Sequence, residues 1–320
     1  MKKRLLILII PVIILLTIIA IGQGLLRPMP PTIYTAVSND GIKFSEGVEV
    51  MKGSTPEVIK LENGTYLMYY VNPGEDKIRL AVSDDGVHFR KIGVVLDKGG
   101  IYDKFGAIDP AIVKIRENYF RMYYIGKIED APTEFTTNCL LTAVSSDGIH
   151  WKKDDKPILK AKGICDPTVI VINNTYRIYY TVNNKLYAID VDENNSIIKN
   201  WGELMEEVIG PFVIRINGKY RLYYTESKGP LEGAGIYVVE SEDGIHFQNK
   251  TLVIKNYVAP CLVKENNTYR IYYHTIPIPI LVPALEDKVT FYITNLQVVK
   301  KILKMLSNLM QIIEIEFRLV

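Results

Sequence analysis

Tyr220-Arg-Leu-Tyr223-Tyr224, leaving a tight Asn217-Gly218 turn, is one of five near-copies of an aromatic strand in this chain. The others are Tyr66-Leu-Met-Tyr69-Tyr70, Phe120-Arg-Met-Tyr123-Tyr124, Tyr176-Arg-Ile-Tyr179-Tyr180 and Tyr269-Arg-Ile-Tyr272-Tyr273, at spacings of 54, 56, 44 and 49 residues. A second motif, Ser-x-Asp-Gly-(Ile/Val)-(His/Lys)-(Phe/Trp), recurs in register at Ser38–Phe44, Ser83–Phe89, Ser145–Trp151 and Ser241–Phe247. A degenerate fifth copy is expected between Tyr187 and Trp201. Self-similarity at this period is the signature of a repeat architecture.

Each unit reads as four strands. An x-Pro strand such as Asp109-Pro-Ala-Ile-Val113 comes first. The Tyr-Tyr strand follows, then a third such as Ile78-Arg-Leu-Ala-Val82 ending at Ser-x-Asp-Gly, then a fourth carrying Phe or Trp. Regular short strands with turn signals at this spacing predict an all-β, five-bladed β-propeller of four-stranded antiparallel blades over residues 32–275. Residues 32–50 supply strands three and four without one and two, and residues 257–275 supply the missing pair. The N-terminal segment is therefore expected to complete the last blade, which removes the unpaired edges an open ring would leave.

The composition fits. With 48% hydrophobic and 23% charged residues, 320 residues can bury a sizeable core. A net charge of +2 gives no basic excess for nucleic acid, and three cysteines exclude a disulfide scaffold or a Cys-x-x-Cys zinc site. Fourteen of the 21 tyrosines belong to the five aromatic strands, which assigns them to blade packing rather than to sugar platforms. The aspartates Asp40, Asp85, Asp147 and Asp243 are expected to cap backbone N–H groups in their turns. His88, His150 and His246 share one repeated slot, leaving His274 as the histidine free for ligand binding.

The ends read differently. Lys2, Lys3 and Arg4 precede an apolar run from Leu5 to Ile21. That length fits a signal anchor, a transmembrane helix within residues 1–27, and the small residues Ala20 and Gly22 leave cleavage as the alternative. The expectation is a single-pass protein of the cell membrane with its propeller on the extracytoplasmic side, or a secreted one if cleaved. Asn-x-Ser/Thr sequons at Asn63, Asn173, Asn194, Asn249 and Asn266 suit that side, although turn chemistry explains most of them. Cys165 and Cys261 are candidates for a disulfide. Residues 276–320 read as a Pro-rich linker followed by an amphipathic helix from Leu296 to Phe317, packed on the propeller, on a partner or on the membrane.

Ligands of a propeller belong on its axis, where the first strands converge. The five first strands carry Thr55-Pro56-Glu57, Asp109-Pro110, Asp166-Pro167, Gly210-Pro211 and Ala259-Pro260-Cys261. Proline recurs in all five and is structural; carboxylates occur in only some, so no blade requirement explains them. Asp109 and Asp166 occupy one slot in adjacent blades, and period two places Glu57 on the face of Thr55. Three carboxylates converging near the axis are the raw material of glycoside chemistry. They would equally serve to cap strand ends or to bind an axial cation such as calcium; no other cofactor is indicated.

The x-Pro pattern and the Ser-x-Asp-Gly repeats resemble the five-bladed glycosidase propellers of families 43, 32 and 117 and the family 130 mannoside phosphorylases, over residues 32–275. The family 43 resemblance implies a base in blade one, a modulator in blade three and an acid in blade four. Asp166 matches the modulator, whereas Thr55 stands for the base and Ile209 for the acid. Glu57 and Glu226 would substitute only with a shifted geometry. The family 130 resemblance implies Asp109 as general acid, and a blade-one stretch beginning at Arg79 on the ligand side. The implied function is a glycan-active hydrolase or phosphorylase using Asp109, Asp166 and, less directly, Glu57 and Glu226. The alternative is a non-catalytic propeller binding a glycan or a partner.

Overall fold

The computed structural model describes residues 31–227 and 234–275, all within one compact unit. The expected transmembrane segment, residues 1–27, and the tail, residues 276–320, lie outside the described residues. Among those described, no helix is long and apolar enough to cross a membrane.

Among the described residues, twenty-one strands form five antiparallel sheets. β1 (Thr32–Ser38) and β2 (Val48–Lys52) precede blade one, which is β3 (Ser54–Lys60), β4 (Tyr66–Val71), β5 (Ile78–Ser83) and β6 (Arg90–Leu96). Blade two is β7 (Gly106–Arg116), β8 (Tyr119–Lys127) and β9 (Thr137–Ser145), with its outer strand broken into β10 (Lys152–Lys153) and β11 (Leu159–Lys162). Blade three is β12 (Ile164–Ile172), β13 (Thr175–Val182), β14 (Lys185–Val191) and β15 (Ile197–Glu206). Blade four is β16 (Ile209–Ile216), β17 (Lys219–Ser227), β18 (Ala234–Ser241) and β19 (Gln248–Lys255). Blade five takes β20 (Tyr257–Glu265) and β21 (Thr268–Thr275) from the end of this segment and β1 and β2 from its start, in the order β2-β1-β21-β20. The expected closure by the N-terminal segment is therefore found, with Ile33 facing His274 and Ser38 facing Tyr269. The innermost strands β3, β7, β12, β16 and β20 touch one another in turn around the axis.

The doubled tyrosine explains the ring. Adjacent residues of a strand point to opposite faces of the sheet. The first tyrosine of each pair thus packs against the next blade and the second against the preceding one. Tyr69 lies in the core between blades one and two, and Tyr70 in the core between blades five and one. Tyr223 and Tyr224 divide in the same way between junctions four–five and three–four. Five apolar clusters result, one per junction. Each fully buried ring adds about 2 kcal/mol of burial free energy.

A propeller so built has two unlike faces. On one, which we term the turn face, the Ser-x-Asp-Gly turns lie. In blade four the Ser241 hydroxyl accepts the Asp243 and Gly244 N–H groups, and Asp243 Oδ1 accepts those of Ile245 and His246, at 2.8 to 3.3 Å. His246 Nδ1 sits 2.7 Å from the other carboxylate oxygen, and His88 and His150 repeat the arrangement. The expected capping role and the structural role of these three histidines both hold. These bonds pull Asp40 down to about 2, its largest causes being the Lys43 and Ile42 amides. The phenol of the first tyrosine then reaches the turn of the next blade. Tyr69, Tyr179, Tyr223 and Tyr272 donate to the carbonyls of Gly148, Gly244, Gly41 and Gly86 at 2.7 to 2.8 Å. Blade three carries Asp192-Glu-Asn-Asn195 in place of this turn. Consequently the Tyr123 hydroxyl, which would have met it, is buried without a hydrogen-bond partner. Arg121 beside it reaches Asn195 Oδ1 and the Glu193 carbonyl instead.

Candidate functional site

The opposite face holds the x-Pro steps, and these are five β-bulges. The register of each innermost strand on its neighbour slips at Ser54/Glu57, Ile108/Ala111, Cys165/Thr168, Ile209/Phe212 and Val258/Cys261. In every case the residue before proline has a left-handed backbone: Thr55 at φ 44°, Asp109 at 50°, Asp166 at 49°, Gly210 at 53° and Ala259 at 53°. Such a conformation costs a non-glycine residue about 1–2 kcal/mol. Because Thr55 and Ala259 adopt it too, the strain belongs to the fold and not to the carboxylates. Glycine at 210 also answers a close approach, since a Cβ there would lie 3.2 Å from Ala259 Cα.

The bulges assemble a half-buried ring of Thr55, Asp109, Asp166, Gly210 and Ala259 around the axis. Asp109 Oδ2 accepts the Asp166 N–H at 3.4 Å, and Asp166 Oδ2 accepts the Gly210 N–H at 3.1 Å. Glycine has no side chain to continue the pattern, and the Ala259 N–H goes to Thr225 Oγ1 at 2.9 Å. Asp109 and Asp166 are thus direct neighbours. Burial, then the charge of Asp166, pushes the Asp109 carboxyl well above the usual range. Burial raises Asp166 as well, against hydrogen bonds from Gly210, Cys165 and Thr181 that favour its ionised form. Two close carboxyls in such a setting share a proton readily, and a carboxyl that keeps its proton near neutrality can act as an acid.

Glu57 stands elsewhere. The bulge breaks period two between Thr55 and Glu57, so the expectation of one shared face does not hold. Glu57 instead belongs to a second tier, the residues just after the prolines, which bond to the next blade. Glu57 Oε1 accepts the Ile112 N–H at 3.1 Å, Thr168 Oγ1 that of Val213 at 3.2 Å, and Cys261 Sγ that of Val58 at 3.1 Å. Burial lifts Glu57 to about 7.

The remaining candidates do not join the pair. Glu226, only 4% exposed, has one oxygen on Lys250 Nζ and the other without a hydrogen-bond partner. Arg79 is held by Glu75 at 2.5–2.7 Å. His274 is 4% exposed, with Nδ1 2.8 Å from the Thr275 carbonyl, and burial depresses it to about 4. It is a neutral buried group rather than a free one. The disulfide expectation is also corrected: all three cysteines are free thiols. Cys165 Sγ lies 3.1 Å from Thr181 Oγ1, while Cys261 is engaged with Val58. Burial, with Asp166 and Asp109 nearby, raises the Cys165 thiol far above its ordinary value, so it is no thiolate nucleophile.

Sequence reading picked His274 alone and missed that it shares one slot, directly after each Tyr-Tyr pair, with Val71, Ile125, Thr181 and Thr225. Thr181 and Thr225 face the axial ring from there, with Thr181 Oγ1 3.4 Å from Asp166 Oδ2. The alignment of the five repeats carried that signal. Beside the ring on the same face, a cleft between blades three and four is lined by Asn183, Asn184, Lys185, Glu206, Glu207 and Ile209. Among the described residues, no group of three or more His, Cys, Asp or Glu is placed to hold a metal ion. Asp109 and Asp166 would be the carboxylates of an axial cation, and calcium would need further oxygens beyond them.

Comparison with known proteins agrees with this architecture. Residues 54–201, fewer than half of the chain, match the glycosyl hydrolases family 32 N-terminal domain. No curated protein matches the chain in sequence. An endo-arabinase from Bacteroides thetaiotaomicron has 13% identity and a TM-score of 0.57, over 72% of this chain and 96% of its own. A sucrose-6-phosphate hydrolase from Lactobacillus gasseri has 14% identity and a TM-score of 0.57, over 71% of this chain and 55% of its own. An α-L-arabinanase from Cellvibrio cellulosa, complexed with arabinohexaose, has 13% identity and a TM-score of 0.56, over 69% of this chain and 86% of its own. The resemblance to the five-bladed glycosidase propellers is therefore one of fold as well as of motif.

Proposed function

We propose that this protein is a membrane-anchored, extracytoplasmic propeller acting on glycans, with Asp109 as proton donor and Asp166 tuning it. The observation that carries the reading is the pair itself. Two of five equivalent ring positions bear carboxyls, those two are adjacent, and both are raised by burial. A glycosidic oxygen leaves as an alcohol only if protonated, and a half-buried carboxyl retaining its proton is suited to that step. The matched family and the similar structures, whose names are those of carbohydrate hydrolases, support the substrate class. Glu57, in the tier behind, and Glu226, paired with Lys250, stand as secondary candidates.

A second reading has its own observation. Both aspartates accept an N–H of the neighbouring bulge, a structural task that a glycan- or partner-binding propeller without catalysis would also need. Sugar release by the full chain separates the two. The panel is furanosides, mannosides and envelope glycans, with and without phosphate. Release is expected to fall by about 10²–10⁴-fold in Asp109→Asn, the usual weight of a lost general acid. Unchanged release in that variant overturns Asp109 as the proton donor, and no release from the folded native chain overturns the enzymatic reading and leaves binding.

A further inference from the structure

Both ends of the propeller segment emerge on the bulge face. Thr32 N–H donates to Thr275 Oγ1 at 3.0 Å, and His274 pairs across the sheet with Ile33 and with Val258, the neighbour of Ala259. The apolar run Leu5–Ile21 is joined to Pro31 by residues 22–30. Those nine residues reach about 30 Å when fully extended. They join the propeller on its carboxylate side.

Independent of that junction, the bulge face carries the two most exposed large hydrophobic side chains of the described residues. Ile101 is 85% exposed and Phe135 69%. Ile101 lies between β6 and β7, and Phe135 between β8 and β9; both connections run over the bulge face, because Gly106 pairs with Lys127 and Lys127 with Asn138 at that end of blade two. The next most exposed, Ile198 and Val48, sit at the turn-face starts of outer strands. The Ile101 loop also holds Lys98, Tyr102 and Lys104, and Lys160 Nζ lies 4.3 Å from the Tyr102 ring centre. Tyrosine and lysine thus border the Ile101 tip, while the Phe135 connection carries Glu129, Asp130 and Glu134; a protruding aliphatic tip bordered by tyrosine and lysine, with an aromatic tip beside it, is the chemistry of a membrane–water interface.

We propose that the bulge face is a membrane-docking surface, with Ile101 and Phe135 entering the headgroup layer of the bilayer that holds the N-terminal run. This rests on the anchored reading above. The axial carboxylates then look onto the headgroups, and a saccharide reaching them from that layer is one carried on lipid.

The full chain reconstituted in phosphatidylcholine–phosphatidylglycerol vesicles tests it. Flotation comes first, and depth is then read by bromolipid quenching of Ile101→Trp, Phe135→Trp and Val48→Trp, with the native Trp151 and Trp201 signal subtracted. Quenching of the first two at least about twofold above Val48→Trp is expected for side chains at interfacial depth. Flotation with equal quenching at all three positions overturns the docking proposal and leaves the anchor standing. Failure to float overturns both, and neither outcome depends on sugar release.

Discussion

The turn face repeats one turn in four blades and the bulge face one backbone step in all five, yet they use repetition in opposite ways. On the turn face, backbone and side chains recur together: serine, aspartate and glycine close the turn, and a tyrosine of the preceding blade bonds to it. On the bulge face only the proline and the left-handed step recur, while the side chain at that step changes from Thr55 to Asp109, Asp166, Gly210 and Ala259. Where chemistry and geometry repeat together, the residues build the scaffold. Where geometry repeats and chemistry does not, the fold has left the position open to function. Carboxyls on the two faces consequently shift in opposite directions, downward in the turns and upward on the axis.

The largest stability effect that would sharpen this contrast belongs to Glu57. Its folded value of about 7 exceeds the ordinary 4.5, so the folded state holds the extra proton between them; the stability this gives is full below the unfolded value and is lost as pH rises through the folded one. Denaturation followed from pH 4 to 8 should show a decline to which Asp109 and Asp166 also contribute, and Glu57→Gln should make it smaller by on the order of 2–3 kcal/mol. A pH-independent native protein would break the comparison at its inner tier.

Substitutions to asparagine on the two faces should next differ in sign. Asp166→Asn removes a charge that burial opposes and is expected to raise the melting temperature at pH 7. Asp243→Asn removes a charge held by two backbone amides and His246, and should lower it. The turn contribution is full above the unfolded carboxylate value and fades as pH falls below it, so the Asp243→Asn deficit should vanish in acid. Equal signs at pH 7 would mean that the faces are not energetically distinct.

The smallest effect lies in the tyrosines. Tyr179→Phe, Tyr223→Phe and Tyr272→Phe each lose a bond to a glycine carbonyl and should cost about 1 kcal/mol. Tyr123→Phe removes a hydroxyl that meets no turn carbonyl and has only Arg121 beside it, and should cost less in urea titrations. A full penalty there would show that the third blade satisfies Tyr123 after all.

The scaffold was legible because its signals are local and repeated. Tyr-Tyr pairs, Ser-x-Asp-Gly turns and the complementary ends sufficed for blade number and closure. The site was legible only as a list of departures from the repeat. A residue before proline ordinarily favours an extended backbone, so nothing local in Thr55-Pro56 or Ala259-Pro260 announces a left-handed bulge. That conformation follows from five strands crowding one axis. It moved Glu57 off the face of Thr55, and the same long-range packing buried His274 and kept Cys165 and Cys261 apart.

The clasp of β1 on β21 bears on how the chain is made. During synthesis the first strand of the propeller emerges more than two hundred residues before its partner, with Thr35 and Ile271 separated by 236 positions. Until the last strand arrives, β1 and β2 have only each other, and a lone hairpin is marginal in water. Four blades are therefore complete before the fifth can start, and ring closure waits for the final segment to leave the ribosome. A nascent chain stalled short of Thr275 would leave the first strand's edge open to pairing with another molecule.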